Sequence, residues 1–190
     1  GDFVCEETHF RQAQDPWRML TSWDMPQTAG PMWKRTALER VSGWKPEQPC
    51  CQEHELYLRL LMSGTRFGFL DENLSLYRTW EMGTRLVERM QSQVPQQRLL
   101  ILQRMEDFLR AQGQLTPDVR QAINDARHRL ARQYWERDRK EARRVMGVVA
   151  QSDITFVPSR SDASSSLYRW VYRLLGFHGA EALAALRRVV

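Results

Sequence analysis

Apolar residues recur at helical spacing along much of this chain, and proline and glycine mark the breaks between those stretches. Trp33, Ala37, Leu38 and Val41 fall at i, i+4, i+5 and i+8, which predicts a helix over 33–42 with Gly43 as its left-handed stop. Pro46 and Pro49 make 44–49 a loop, and a second helix is predicted over about 52–63, closed by Gly64. Arg66-Phe67-Gly68-Phe69-Leu70 and Leu74-Ser75-Leu76-Tyr77-Arg78 read as two strands around the turn-forming Asp71-Glu72-Asn73. A short strand at Phe3-Val4-Cys5 is expected before them, and 15–32, rich in Pro, Trp, Met and Gly, reads as irregular structure carrying large aromatic groups.

Past Glu81 the pattern is helical throughout. One helix is predicted over 82–91. Another starts at Pro95, carries Leu99, Leu100, Leu102, Met105, Phe108 and Leu109, and ends at Gly113. Thr116-Pro117-Asp118 is a cap followed by a first-turn proline, from which one long helix is predicted to reach about Ala150. Residues 151–166 read as a polar linker, and two short helices about Gly176 complete the chain. The pattern divides the protein into a mixed α/β region, 1–80, and a helical extension, 81–190.

Charge sharpens that division. Residues 1–80 carry 9 basic and 11 acidic side chains, residues 81–190 carry 19 and 12, and the net charge is +5. The basic groups are nearly all arginine, since lysine occurs at Lys34, Lys45 and Lys140 alone. No apolar run reaches the roughly 18 to 20 residues of a bilayer span, and the first residues lack the zones of a signal peptide, so the expected setting is the cytoplasm. Cys5, Cys50 and Cys51 fit neither an even disulfide set nor a spaced zinc pattern, and reduced thiols are expected. The start at Gly1, running at once into a strand-like stretch, suggests a piece of a longer protein.

The chemistry concentrates in Gln52-Glu53-His54-Glu55-Leu56-Tyr57-Leu58-Arg59. Glu53 and Glu55 lie in the first helical turn, where the macrodipole favours an anion, and Glu55 stands at i, i+4 from Arg59, so a plain ion pair competes with a substrate role. Around this helix stand Ser42-Gly43-Trp44 before it, and Gly64-Thr65-Arg66-Phe67 and Tyr77-Arg78 after it. In order and spacing these resemble the C-terminal half of the catalytic domain in inverting glycosyltransferases of family 2, which have the GT-A fold. In that family a Gly-Gly-aromatic loop precedes a helix bearing Glu-Asp-aromatic-Asp-Leu-aromatic-Leu-Arg. The resemblance implies a partial α/β GT-A domain over 1–80 that transfers a sugar from a nucleotide-sugar donor to a saccharide or glycoconjugate acceptor with inversion.

Residue by residue, the resemblance puts Glu53 at the family's catalytic base. A carboxylate suits that task because the acceptor hydroxyl loses its proton only as attack proceeds. Gln52 stands where the family has the first acid of its pair. Trp44 and Gly43 would lie at the acceptor pocket, with Gln52 and Glu55 as further substrate-binding candidates. The family's Asp-x-Asp signature, which holds a divalent metal such as magnesium or manganese on the diphosphate, occurs nowhere in the chain, and Thr79-Trp80-Glu81 stands where many members place a histidine. The expectation is therefore that donor and metal are bound mainly by residues upstream of this sequence, that no metal ligand can be assigned within it, and that the chain by itself is inactive.

His54 takes an aromatic position of the motif, so packing is favoured over proton transfer, and a Cys51–His54 nucleophilic pair has nothing to orient it. A rival reading makes the chain a non-catalytic helical interaction module or an anionic-ligand-binding module. Its arginine-rich stretch from Arg127 to Arg144 could grip phosphate or meet a membrane peripherally, although Glu136, Asp138 and Glu141 interrupt the stripe, and no nucleic-acid-binding signature accompanies it, so no nucleic acid is expected. Trp135, Tyr168, Trp170 and Tyr172 serve equally as a helical core or as anchors in a homo-oligomer.

Overall fold

The computed structural model describes residues 15–26, 30–68, 92–161 and 164–189, the side chains of 187–189 excepted. The chain divides into two compact units, Gly1–Met105 and Glu106–Val190.

In the first unit, helix α1 spans Pro16–Ser22. The Asp15 carboxylate accepts from Trp17 N at 3.0 Å, Pro16 opens the first turn, and Trp23 closes the helix in the left-handed region. This corrects the irregular segment expected over 15–32: cap and proline outweigh its aromatic, turn-like composition. Helix α2, Arg35–Arg40, is short, lacks a side-chain cap and buries none of its residues. Its exit through Ser42 and Gly43, both near φ +59°, is the predicted stop. Helix α3, Gln52–Met62, buries Leu56, Tyr57, Leu58, Leu60 and Leu61, packs against α1 through Met19 and Leu20, and ends at Gly64 with φ +76°. Helix α4, Val94–Ala111, supplies Ile101, Leu102 and Met105 to the buried set of this unit.

The expected α/β class, a partial GT-A domain, is overturned: two thirds of the described residues are helical and none lies in a strand. Residues 65–68, the beginning of a predicted strand, are irregular, and Phe67 packs its ring against Tyr57 and edge-on to Trp33, at 5.8 and 6.4 Å. The physical reason is that a strand needs a neighbour to take up its backbone donors and acceptors, and the described residues offer none. The strands expected at 3–5 and 74–78, the end of that at 66–70 and the helix over 82–91 lie outside the described residues.

In the second unit, helix α5 spans Pro117–Trp135, and the Thr116 hydroxyl accepts from Val119 N at 3.3 Å, as its cap sequence predicts. The single long helix expected to reach Ala150 is instead two. Asp138 accepts from the backbone N–H of Lys140 and Glu141, both at 3.0 Å, and so starts helix α6, Arg139–Ser152. The three residues between let α6 fold back on α5, with Ala142, Val145 and Val149 buried on α6 and Ala126, Leu130 and Ala131 buried on α5. Helix α7, Ser166–Val189, breaks at Gly176 (φ +65°, ψ −171°) into the two expected arms. A Cβ on Gly179 would lie 2.3 Å from the Cβ of Leu175, so the fold-back requires glycine there too. Among the described residues, no helix is long and apolar enough to cross a membrane.

Candidate functional site

The α3 start gathers the predicted candidates, but onto two sides of the helix. At about 100° per residue, Glu53 and Glu55 project roughly 200° apart. Glu55 is 2% exposed and turns toward the chain that leads into α3. Its Oε2 accepts from Arg59 Nε at 2.8 Å, and its Oε1 from Arg104 Nη1 and Lys45 Nζ, both at 3.0 Å. Burial works to raise its pKa, but Lys45, Arg104 and Arg59 outweigh it and hold the carboxyl below the ordinary carboxylate range. Arg59 also donates to the carbonyls of Val41 and Gly43, the latter at 2.7 Å. One guanidinium thereby ties the Ser42-Gly43-Trp44 turn to the buried carboxylate, and Trp44 projects from that turn, 40% exposed. Gly43 thus contributes a carbonyl and a positive φ, while both oxygens of Glu55 are taken up by Arg59, Arg104 and Lys45. The ion-pair reading of Glu55 describes its contacts.

Glu53, half-buried in the first turn, faces other neighbours, and its charge bears on Cys51, His54 and Tyr57. Gln52, half-buried, is the first residue of α3. His54 stacks on Trp23 with ring centroids 4.0 Å apart and planes 18° apart. Burial lowers its pKa to about 4, against the opposing pull of Glu53, so the ring is neutral at neutral pH and packs as its aromatic position predicts. Its buried Nε2 has no hydrogen-bond partner. The Arg98 guanidinium lies over the Trp23 ring, 4.4 Å from the centroid, and brings positive charge to Cys50, Cys51 and His54. The Tyr57 hydroxyl donates to Pro26 O at 2.8 Å. Burial and the neighbouring Cys50 raise the Cys51 thiol to about 12, so with a neutral His54 the pair lacks the thiolate that a nucleophile needs.

Trp23 and Arg98 were missed as members of this neighbourhood. Nothing local marks either, because they lie 30 and 45 positions from Glu53. No group of three or more His, Cys, Asp or Glu among the described residues could hold a metal ion, so these residues do not fit the divalent metal implied by the resemblance, and no step is derived through one.

The second unit uses much of its arginine internally. Arg127, fully buried, pairs with Glu106 and donates to Asn124 Oδ1 at 3.3 Å, while Ser152 Oγ donates to Glu106 Oε1 at 2.6 Å. Arg132 pairs with buried Glu181 at 2.6 Å, and Arg144 with Glu141 at 2.6 Å. His128 is buried among Phe156, Tyr168, Tyr172 and Phe177, with Nε2 3.0 Å from the Tyr168 hydroxyl, which donates to Glu181 at 2.7 Å. Burial, with Arg132 and Arg129 nearby, lowers its pKa to about 3. A half-open cavity of about 300 Å³ lies beside this cluster, lined by Arg143, Met146, Asp153, Ile154, Tyr172 and His178 among others, and none of Gly43, Trp44, Gln52, Glu53 and Glu55 borders it.

Comparison with protein-family models, curated proteins and solved structures finds no match for this chain.

Proposed function

We propose that this chain is the acceptor-side part of an inverting, sugar-nucleotide-dependent glycosyltransferase that works in the cytoplasm, with Glu53 as the base that takes the proton from the acceptor hydroxyl. The order and spacing of Ser42-Gly43-Trp44, Gln52 to Arg59 and Gly64-Thr65-Arg66-Phe67 support the reading. The observation that carries it is the Arg59 clamp. By binding the Gly43 carbonyl and the Glu55 carboxylate together, it makes the Gly43–Trp44 turn and the carboxylate-bearing helix start one rigid piece, as a site that must hold a sugar against a base requires. Glu55 and Arg59 are positioning residues in this scheme. Trp44 offers an exposed aromatic face for a saccharide ring.

In this scheme the nucleotide-sugar donor, and any divalent metal on its diphosphate, are held by residues outside this chain. The test measures nucleoside diphosphate release from a panel of sugar nucleotides by a protein that joins this chain to its natural upstream residues. Glu53→Gln is expected to lower kcat by about a hundredfold or more while acceptor binding persists. Unchanged turnover would remove Glu53 from the mechanism.

A further inference from the structure

The first arm of α7 carries an apolar strip that the second unit leaves uncovered. Leu167, Trp170 and Leu174 are 41%, 59% and 61% exposed and fall within about 60° of arc on the helix. Leu175, beside the Gly176 break, is 64% exposed. The flanks of the strip differ. On one side Tyr168 and Val171 turn into the core with Ala180. On the other side stand Arg169, whose Nε donates to Pro158 O at 2.8 Å, and the exposed Arg173. From Ser164 to Ala180 the chain contains no carboxylate, and the first one after it, Glu181, is buried and paired with Arg132.

We propose that this arm binds the surface of an anionic lipid bilayer, lying in the interface with Trp170 and Leu174 in the acyl boundary and Arg169 and Arg173 at the headgroups. The arrangement has the two components that such binding needs, a contiguous apolar face and positive charge along its polar border. Tryptophan suits the boundary, where its ring is apolar and its N–H meets polar groups. Ten residues between Ser166 and Leu175 rise about 15 Å, too short to cross a bilayer and long enough to lie on one. Charge decides against a second copy of this chain as the occupant. A two-fold contact would bring Arg169 and Arg173 of both copies to one interface with no exposed carboxylate on either arm to offset them. The inference is independent of the transferase reading, since none of its residues belongs to the α3 neighbourhood.

The experiment is co-sedimentation of the 190-residue chain with phosphatidylcholine vesicles, with and without phosphatidylserine, at low and high salt. Binding is expected with phosphatidylserine, weaker without it, and weakened by salt. Leu174→Glu should lower the partition coefficient by at least about tenfold, the loss of one buried leucine side chain. Arg173→Glu should reduce the preference for phosphatidylserine, and Ile154→Ser, an exposed apolar residue outside α7, should leave binding unchanged. Helix content by circular dichroism accompanies each variant, and Trp170→Gln repeats the test if Leu174→Glu loses helix. Binding indifferent to phosphatidylserine, or to both apolar variants, would overturn the proposal. So would light scattering that shows a dimer which Leu174→Glu dissociates, since the strip would then be an interface between copies.

Discussion

Glu53 and Glu55 stand two positions apart on α3, and that spacing gives them different work. Glu55, itself buried, meets three cations of which Lys45 and Arg104 reach solvent, whereas Glu53 faces Cys51, His54 and Tyr57. Removing the Glu55 charge leaves the largely buried Arg59 against two carbonyls, without the carboxylate that it pairs with among the described residues. Glu55→Gln is expected to lower stability by roughly 2 to 3 kcal/mol, below the roughly 3 to 5 of a fully buried pair because Lys45 and Arg104 reach solvent. Urea denaturation measures this, and a change under about 0.5 kcal/mol, the scale of a surface substitution, would show that the clamp is not held by charge. The Arg59 partner is legible in the sequence as an i, i+4 pair. Lys45 and Arg104 are not, because only tertiary folding brings positions 10 before and 49 after Glu55 to one oxygen.

At the scale of elements, caps governed the outcome more than hydrophobic period did. Thr116-Pro117 gives the start of α5 plainly, and the same logic in Asp15-Pro16 makes α1, where the surrounding Pro, Trp and Gly content had suggested a loop. The α5–α6 break is the reverse case. The apolar period runs on past Trp135, but the Asp138 side chain satisfies two backbone donors that a continuous helix would not leave open, and the chain turns there. Asp138→Ala is expected to cost about 1 kcal/mol, the usual worth of such a cap, read as a lower urea midpoint at unchanged slope. A variant as stable as the parent would mean that the break is fixed by the packing of Trp135 and Val145 rather than by the cap. Gly176, by contrast, announced its bend in the sequence, since the backbone there occupies a region that residues with a Cβ avoid.

At the scale of the whole molecule, periodicity identifies helices from their own residues, but a strand depends on neighbours, which explains why the α/β reading of 1–80 fails while helices α2 to α4 and the start of α5 lie close to where the pattern puts them. The packed His54 and the Glu55–Arg59 pair of the first unit have local signals, but nothing local marks the burial of their counterparts in the second, His128 and Glu106, whose buried partners Tyr168 and Arg127 come from distant positions. The two histidines and two carboxylates have folded-state pKa values below their ordinary ones, so the unfolded chain takes up protons first as pH falls. Stability is therefore full above the unfolded histidine value of about 6.5 and declines as pH drops toward about 4 for His54 and about 3 for His128, by up to about 1.4 kcal/mol per pH unit for each. The carboxylates add to that slope below about pH 4.3, where their unfolded forms protonate. Melting temperature followed by circular dichroism should thus be level from pH 8 to about 7 and fall steadily below about 6.5. His54→Phe isolates one contribution, because phenylalanine can keep the stack on Trp23 and removes the titrating ring together with its hydrogen bond to the Trp23 backbone. That variant should lie within about 1 kcal/mol of the parent at pH 7.5, the worth of that hydrogen bond, and lose less further stability by about pH 5. An identical decline in both proteins would show that burial of His54 is not coupled to folding, and the acid response would then rest on the other three groups.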